Sequence, residues 1–193
     1  MDVDVAAKLN ATIVSIDPFT GDVNMWTWEK QHRDQRKWFF LRNEKGRPTI
    51  YDRFRANMVE AGYADMIVPI VASSIVGIKL LGRLFDEKRI PMLPQVLYLD
   101  SAHEEGETFL ELHRAWDILP PGGVLFGDDF GWKAVQNDVL KFSKHIGINA
   151  ALSKKYIEQL PECTMTGSPA HVVLCDYQWL LFKPSEGGEH IPY

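Results

Sequence analysis

Residues 95–132, QVLYLDSAHEEGETFLELHRAWDILPPGGVLFGDDFGW, leave little freedom in how this chain folds. An apolar strand ends in Asp100, a helix follows, a Pro-Gly turn closes it, and a second apolar strand ends in Asp128 and Asp129. Two apolar strands joined by one crossover helix read as a parallel pair, and neighbouring parallel strands finish at the same edge. In open α/β sheets that edge is where ligands bind. The spacing therefore predicts that the carboxylates of Asp100, Asp128 and Asp129 meet there, with His103 just past the first strand. Turn or helix-N-terminus roles account for each acid singly, but three acids brought together repel one another unless protons or a cation neutralise them. A hard divalent cation such as Mg²⁺, held by carboxylates and water, resolves the repulsion and leaves positions for substrate oxygens.

The rest of the composition narrows the class. At 193 residues with 46% apolar and 24% charged side chains, the chain is sized for one domain with a substantial core. A net charge of −5 without a basic run gives nothing to neutralise phosphates, which argues against nucleic acid as a partner. Only Cys163 and Cys175 occur, in neither metal-type nor CxxC spacing, so a reducing, cytoplasmic setting is expected. The start, MDVDVAAKLN, lacks the basic and apolar regions of a signal peptide, and no apolar run is long enough to span a bilayer.

Along the chain, ATIVSID reads as a buried strand ending at Asp17 and broken by Pro18. An acid at the end of an early strand in an α/β fold often accepts ribose hydroxyls, and an Asp-Pro turn explains it equally well. Residues 24–50 pack Trp26, Trp28, Trp38, Phe39 and Phe40 among charges without a clean period. Such a stretch is either a lid over a site or a cap over the core. Residues 51–61 read as a helix stopped by Gly62. MIVPIVA follows as a strand near an edge, because Pro69 cannot donate to a ladder. Ser73 and Ser74 come next, placed to cap the following helix or to touch a ligand. On the crossover helix, Phe109, Leu112, Trp116 and Leu119 share one side. The final apolar runs, AHVVLC and YQWLLF, are expected to close the sheet as an antiparallel pair.

A cation on the acidic edge has a direct chemical use. It lowers the pKa of a bound substrate hydroxyl, and His103, matched to neutral pH, takes the proton as general base. The alkoxide then needs an electrophile, which for methyl transfer is the sulfonium methyl of S-adenosylmethionine. Metal-dependent hydrolysis is the weaker use, since one His and three Asp do not make a two-metal cluster.

The runs YLDSAHEEG…LHRAWDILPPGGVLFGDDF and IVSIDPFTGD resemble the class I S-adenosylmethionine-dependent methyltransferases. Within these the chain is most similar to the metal-dependent O-methyltransferases, namely the macrocin and mycinamicin sugar methyltransferases and more distantly catechol O-methyltransferase. The resemblance implies a Rossmann-like, mostly parallel α/β sheet with an antiparallel C-terminal hairpin. It assigns the cofactor's ribose to Asp17 and its adenine to the stretch holding Ser73 and Ser74. It assigns the metal to Asp100, Asp128 and Asp129, the base to His103, and a small-molecule hydroxyl, such as a sugar's, as acceptor. It is compatible with a homo-oligomer. The departure is at the start: the family opens with a strand and a glycine-rich loop, whereas Gly21 is the first glycine here. The missing strand is central in the family sheet, between those ending at Asp17 and Asp100. Three readings stand: an incomplete chain, a non-catalytic binding protein on a degenerate fold, or a chain that borrows a strand from a partner.

Overall fold

A computed structural model describes residues 8–21, 43–45, 47–101, 103–152 and 177–185. The chain forms two compact units, Met1–Gly77 and Ile78–Tyr193.

In the first unit the β-branched run Ile13–Asp17 forms β1. It pairs in parallel with β4, Ile67–Val71, from Ile13↔Ile67 to Asp17↔Val71. Ile13 N donates to Met66 O at 2.9 Å, and Asp17 O accepts from Ala72 N at 3.3 Å. Residues 13, 15 and 17 therefore face β4, and the alternation of a strand turns the backbone groups of Val14 and Ile16 the other way. The same alternation points the Pro69 nitrogen outward from β1, so the ladder loses no donor there. Between the strands lie a short antiparallel pair, β2 (Asn43–Glu44) with β3 (Arg47–Pro48), and helix α1, Ile50–Glu60. These cover the end of the aromatic-rich stretch; its tryptophans and phenylalanines lie outside the described residues. Phe19 is buried with Tyr51 and Phe54 of α1 tilted on its ring at 4.9 and 5.1 Å.

Helix α2, Ser74–Asp86, leads across the boundary between the units. The second unit is a four-stranded sheet, in the order β5 (Val96–Leu99), β6 (Val124–Gly127), β8 (Trp179–Phe182), β7 (Ala151–Leu152). β5 and β6 are parallel and joined through α3, Glu107–Ile118, whereas β8 runs antiparallel to both β6 and β7. The expected α/β arrangement of parallel strands with an antiparallel closure is present. The described partner of β8 on its outer side is β7; residues 171–175, the first of the two expected C-terminal strands, lie outside the described residues. β1 and β5 share no sheet among the described residues. Gln95 O and Leu99 O accept from Val124 N and Asp128 N, so Val96 and Tyr98 turn their backbone groups away from β6.

The core of this unit lies where α3 and α4 (Lys133–Ile146) meet the sheet. Leu112, Ala115, Leu125, Val139, Phe142 and Leu181 are 0% exposed, and burial of each large side chain contributes about 1.5–3 kcal/mol. The face of α3 against the core is Thr108, Glu111, Leu112, Ala115 and Ile118. Of the expected stripe of Phe109, Leu112, Trp116 and Leu119, the two leucines are buried and the two aromatics only partly so. The displaced aromatics pack sideways instead: Phe109, His113 and Trp116 surround Phe142 of α4 at 6.3, 5.0 and 5.9 Å. α3 begins at Gly106, which has φ 86 and no side chain to cap with. Asp138 of α4 supplies the missing acceptor, taking Gly106 N at 2.9 Å and Phe109 N at 3.1 Å. No described helix is long and apolar enough to cross a membrane.

Candidate active site

Leu99 and Gly127 are register partners at the ends of β5 and β6, so the residues after them leave the sheet side by side. Gly127 is needed for this closeness. A Cβ there would sit 2.5 Å from Leu99 O and 2.5 Å from the Trp179 ring. With no side chain in the way, Trp179 lies flat enough on the strand end for its Nε1 to donate to Asp128 O at 3.1 Å. Phe130 N donates to Tyr177 O at 2.8 Å, so the β8 side holds both flanks of Asp129.

Asp128 and Asp129 then part ways. Asp128 Oδ1 accepts from Asp129 N at 2.8 Å, and Asp129 adopts the left-handed backbone, φ 59. Aspartate tolerates that region better than most residues. The result aims Asp129 across at His103, whose Nε2 lies 2.6 Å from Asp129 Oδ2. Asp100, His103 and Asp129 each offer a ligand atom, all within 4.8 Å of one another. Asp128 lines the same cleft with its Oδ1 turned to the turn backbone. The cavity between them is only about 10 Å³, room for an ion or a single water rather than a whole substrate.

The electrostatics bear the crowding out. Partial burial, then the Asp129 and Asp128 carboxylates, raise the pKa of Asp100 above its ordinary value, against a lowering pull from Tyr98 and His103. Tyr98, two residues earlier on the same face, donates its hydroxyl to Asp100 Oδ2 at 3.4 Å. Burial first, then Asp100, push its phenol up to about 12. His103 Nδ1 is buried and has no hydrogen-bond partner among the described residues. The Nε2 contact with Asp129 fixes the orientation of the ring.

Of the residues singled out in the sequence, Asp100, His103, Asp128 and Asp129 come together in the second unit. Asp17 lies in the first unit, where its carboxylate accepts from Phe19 N and closes the Asp-Pro turn. Ser73 O accepts from Gly77 N at 2.9 Å in the opening turn of α2, and Ser74 is the first residue of that helix. Two residues lining the cleft, Ser101 and Glu111, and two beside it, Tyr98 and Trp132, were not singled out by the linear pattern. Tyr98 has just been described; Trp132, half exposed, stacks on His103 at 5.1 Å. Ser101 donates to Glu111 Oε1 at 2.7 Å. Glu111 itself is 4% exposed, and an acid on an otherwise apolar helix face is the one sign that could have marked it.

No family model matches this chain, and no curated protein does. Solved structures resemble it at low identity. The O-methyltransferase TomG of Streptomyces achromogenes, involved in tomaymycin synthesis and solved with SAM, is 16% identical over 93% of this chain and 77% of its own, with a TM-score of 0.48. A putative rRNA methylase of Clostridium thermocellum is 13% identical, covering 96% of this chain and 94% of its own, with a TM-score of 0.46. An O-methyltransferase of Bacillus cereus, solved with SAH, is 14% identical with a TM-score of 0.45; the match covers 74% of this chain and 65% of that one, under two thirds of its length.

Proposed function

We propose that this chain is an S-adenosylmethionine-dependent, Mg²⁺-assisted O-methyltransferase acting on a hydroxyl of a small molecule, of which a sugar or glycoside is the leading class. The observation that carries the reading is the convergence of Asp100, His103 and Asp129 within 4.8 Å at the carboxyl edge of β5 and β6. The donor set fits a divalent cation: the Asp129 and Asp128 carboxylates crowd Asp100 and raise its pKa, a repulsion that a cation would relieve, and the His103 imidazole lies beside them. Asp100 and Asp129 would hold the ion, with Asp128 beside them as a third oxygen donor once its turn bond yields. A bound cation supplies Lewis acidity that lowers the pKa of a coordinated hydroxyl. His103 takes the hydroxyl proton, and Asp129 keeps its ring oriented. Asp17, Ser73 and Ser74 are the residues offered to S-adenosylmethionine. Trp132 packs its ring, tilted, against one side of His103.

A second reading, a non-catalytic binding protein on the same fold, is favoured by one observation: two of the residues offered to the cofactor already serve the backbone, the Asp17 carboxylate accepting from Phe19 N and the Ser73 carbonyl from Gly77 N. Calorimetry with S-adenosylmethionine and S-adenosylhomocysteine separates the two. Heat of binding with either supports the enzyme, as does release of S-adenosylhomocysteine with a panel of hydroxylated acceptors that Asp100→Asn and Asp128→Asn both abolish. A folded protein that binds neither compound supports the second reading. Full transfer by both variants in metal-free buffer refutes the metal mechanism.

A further inference from the structure

The loop that carries His103 is tied at both ends by buried carboxylates, and neither is among the acids that face the proposed ion. On one side Ser101, the residue after Asp100, donates its hydroxyl to Glu111 at 2.7 Å. On the other side Gly106 N and Phe109 N donate to Asp138. Glu111 and Asp138 are each 4% exposed. Burying a carboxylate costs several kcal/mol unless it is well bonded, and the position of Glu111 on the inner face of α3 would accept an aliphatic side chain by pattern alone. Asp138 already satisfies the opening turn of α3, so helix capping does not explain Glu111. Its bond instead reaches back ten residues to the exit of β5. Glu111 also lines the same cleft as Asp100, His103, Asp128 and Asp129.

We propose that Glu111, acting through the Ser101 hydroxyl, is a positioning residue that sets Asp100 and His103 against Asp129. The inference deepens the metal-site reading and rests on it for its consequence in the reaction. Its structural content, that the Glu111–Ser101 bond sets the His103–Asp129 pair, stands without any ion. Residues that orient ligands in this way typically change metal affinity by about 10–100-fold when removed.

The experiment uses three variants of the full chain, Glu111→Ala, Glu111→Gln and Ser101→Ala, and two probes. In metal-free buffer, side-chain ¹⁵N NMR of His103 reports its bond to Asp129. The proposal expects the His103 resonances to shift in Glu111→Ala and Ser101→Ala. They stay near wild type in Glu111→Gln, whose amide oxygen still accepts from Ser101. Mn²⁺ titration followed by electron paramagnetic resonance then reads the site. Affinity should fall about 10-fold or more in Glu111→Ala and Ser101→Ala and recover in Glu111→Gln. A purely electrostatic role predicts that Glu111→Gln is as weak as Glu111→Ala, and that result overturns the proposal. Unchanged His103 resonances in Ser101→Ala, which removes a single hydroxyl and serves as the test should Glu111→Ala not fold, overturn it as well. Wild-type protein that binds no Mn²⁺ sinks the metal reading, while the NMR arm still decides whether Glu111 positions His103.

Discussion

Replacing Asp100 with asparagine should stabilise the metal-free protein. The ligand atoms of Asp100, His103 and Asp129 lie within 4.8 Å of one another. At that separation two like charges repel by about 3.5 kcal/mol at an effective dielectric of 20 and by about 0.9 kcal/mol in bulk water. Asp100 opens to solvent, so the water-like end applies, and about 1 kcal/mol is the expected gain. For a chain of this length that corresponds to a rise in melting temperature of roughly 2–4 °C. The sign follows from linkage. Burial and the neighbouring acids raise the Asp100 pKa in the folded state. The stability tied to its protonation is therefore complete below the ordinary carboxylate value of 3.8 and is lost as pH rises through the raised value. Asparagine keeps that stability at all pH values. Differential scanning calorimetry in EDTA should show Asp100→Asn melting above wild type at neutral pH, with the gap closing near pH 4. Excess Mg²⁺ should reverse the order, since a ligand at 100 times its Kd adds about 2.7 kcal/mol to the form that binds it. A variant that melts below wild type in EDTA at neutral pH would refute the argument that these acids crowd one another.

Two further outcomes follow from the supports of the cleft. Asp138→Ala removes the acceptor of Gly106 N and Phe109 N and should cost about 1–3 kcal/mol in urea denaturation, with Asp138→Asn losing less because it keeps an acceptor oxygen. Gly127→Ala drives a methyl group into Leu99 O and the Trp179 ring. It should cost about 1–3 kcal/mol and red-shift the tryptophan emission as Trp179 loses its seat; an unshifted, fully stable variant would show that the strand ends can separate freely.

The strand-end acids were legible in the sequence because everything that places them is local: two short apolar runs, one crossover helix, and an acid directly after each strand. What the linear pattern did not carry depends on partners far along the chain. Glu111 reads as a polar interruption of α3 until Ser101 is placed beside it, and Asp138 reads as an ordinary helix acid although it serves Gly106, 32 positions earlier. On α3 the expected Leu112 and Leu119 are buried, and Phe109 and Trp116 lie off the core for a related reason. Periodicity ranks Phe109 and Trp116 as core, but α4 offers those aromatics a second surface in Phe142, leaving Thr108 and Glu111 to turn inward. Nor does spacing tell that Asp129 bends away from Asp128 toward His103, because that turn rests on a left-handed backbone angle and on the grip of Trp179.

The outward nitrogen of Pro69 takes one donor from the outer rim of β4 and so hinders a strand of another molecule from pairing there. IVSID and VLYL have no such safeguard: neither contains proline or a basic residue, and each leaves two residues' amides directed away from its ladder mate. In concentrated solution these are the places from which runaway cross-β growth would begin, so whatever covers them decides whether the polypeptide stays dispersed.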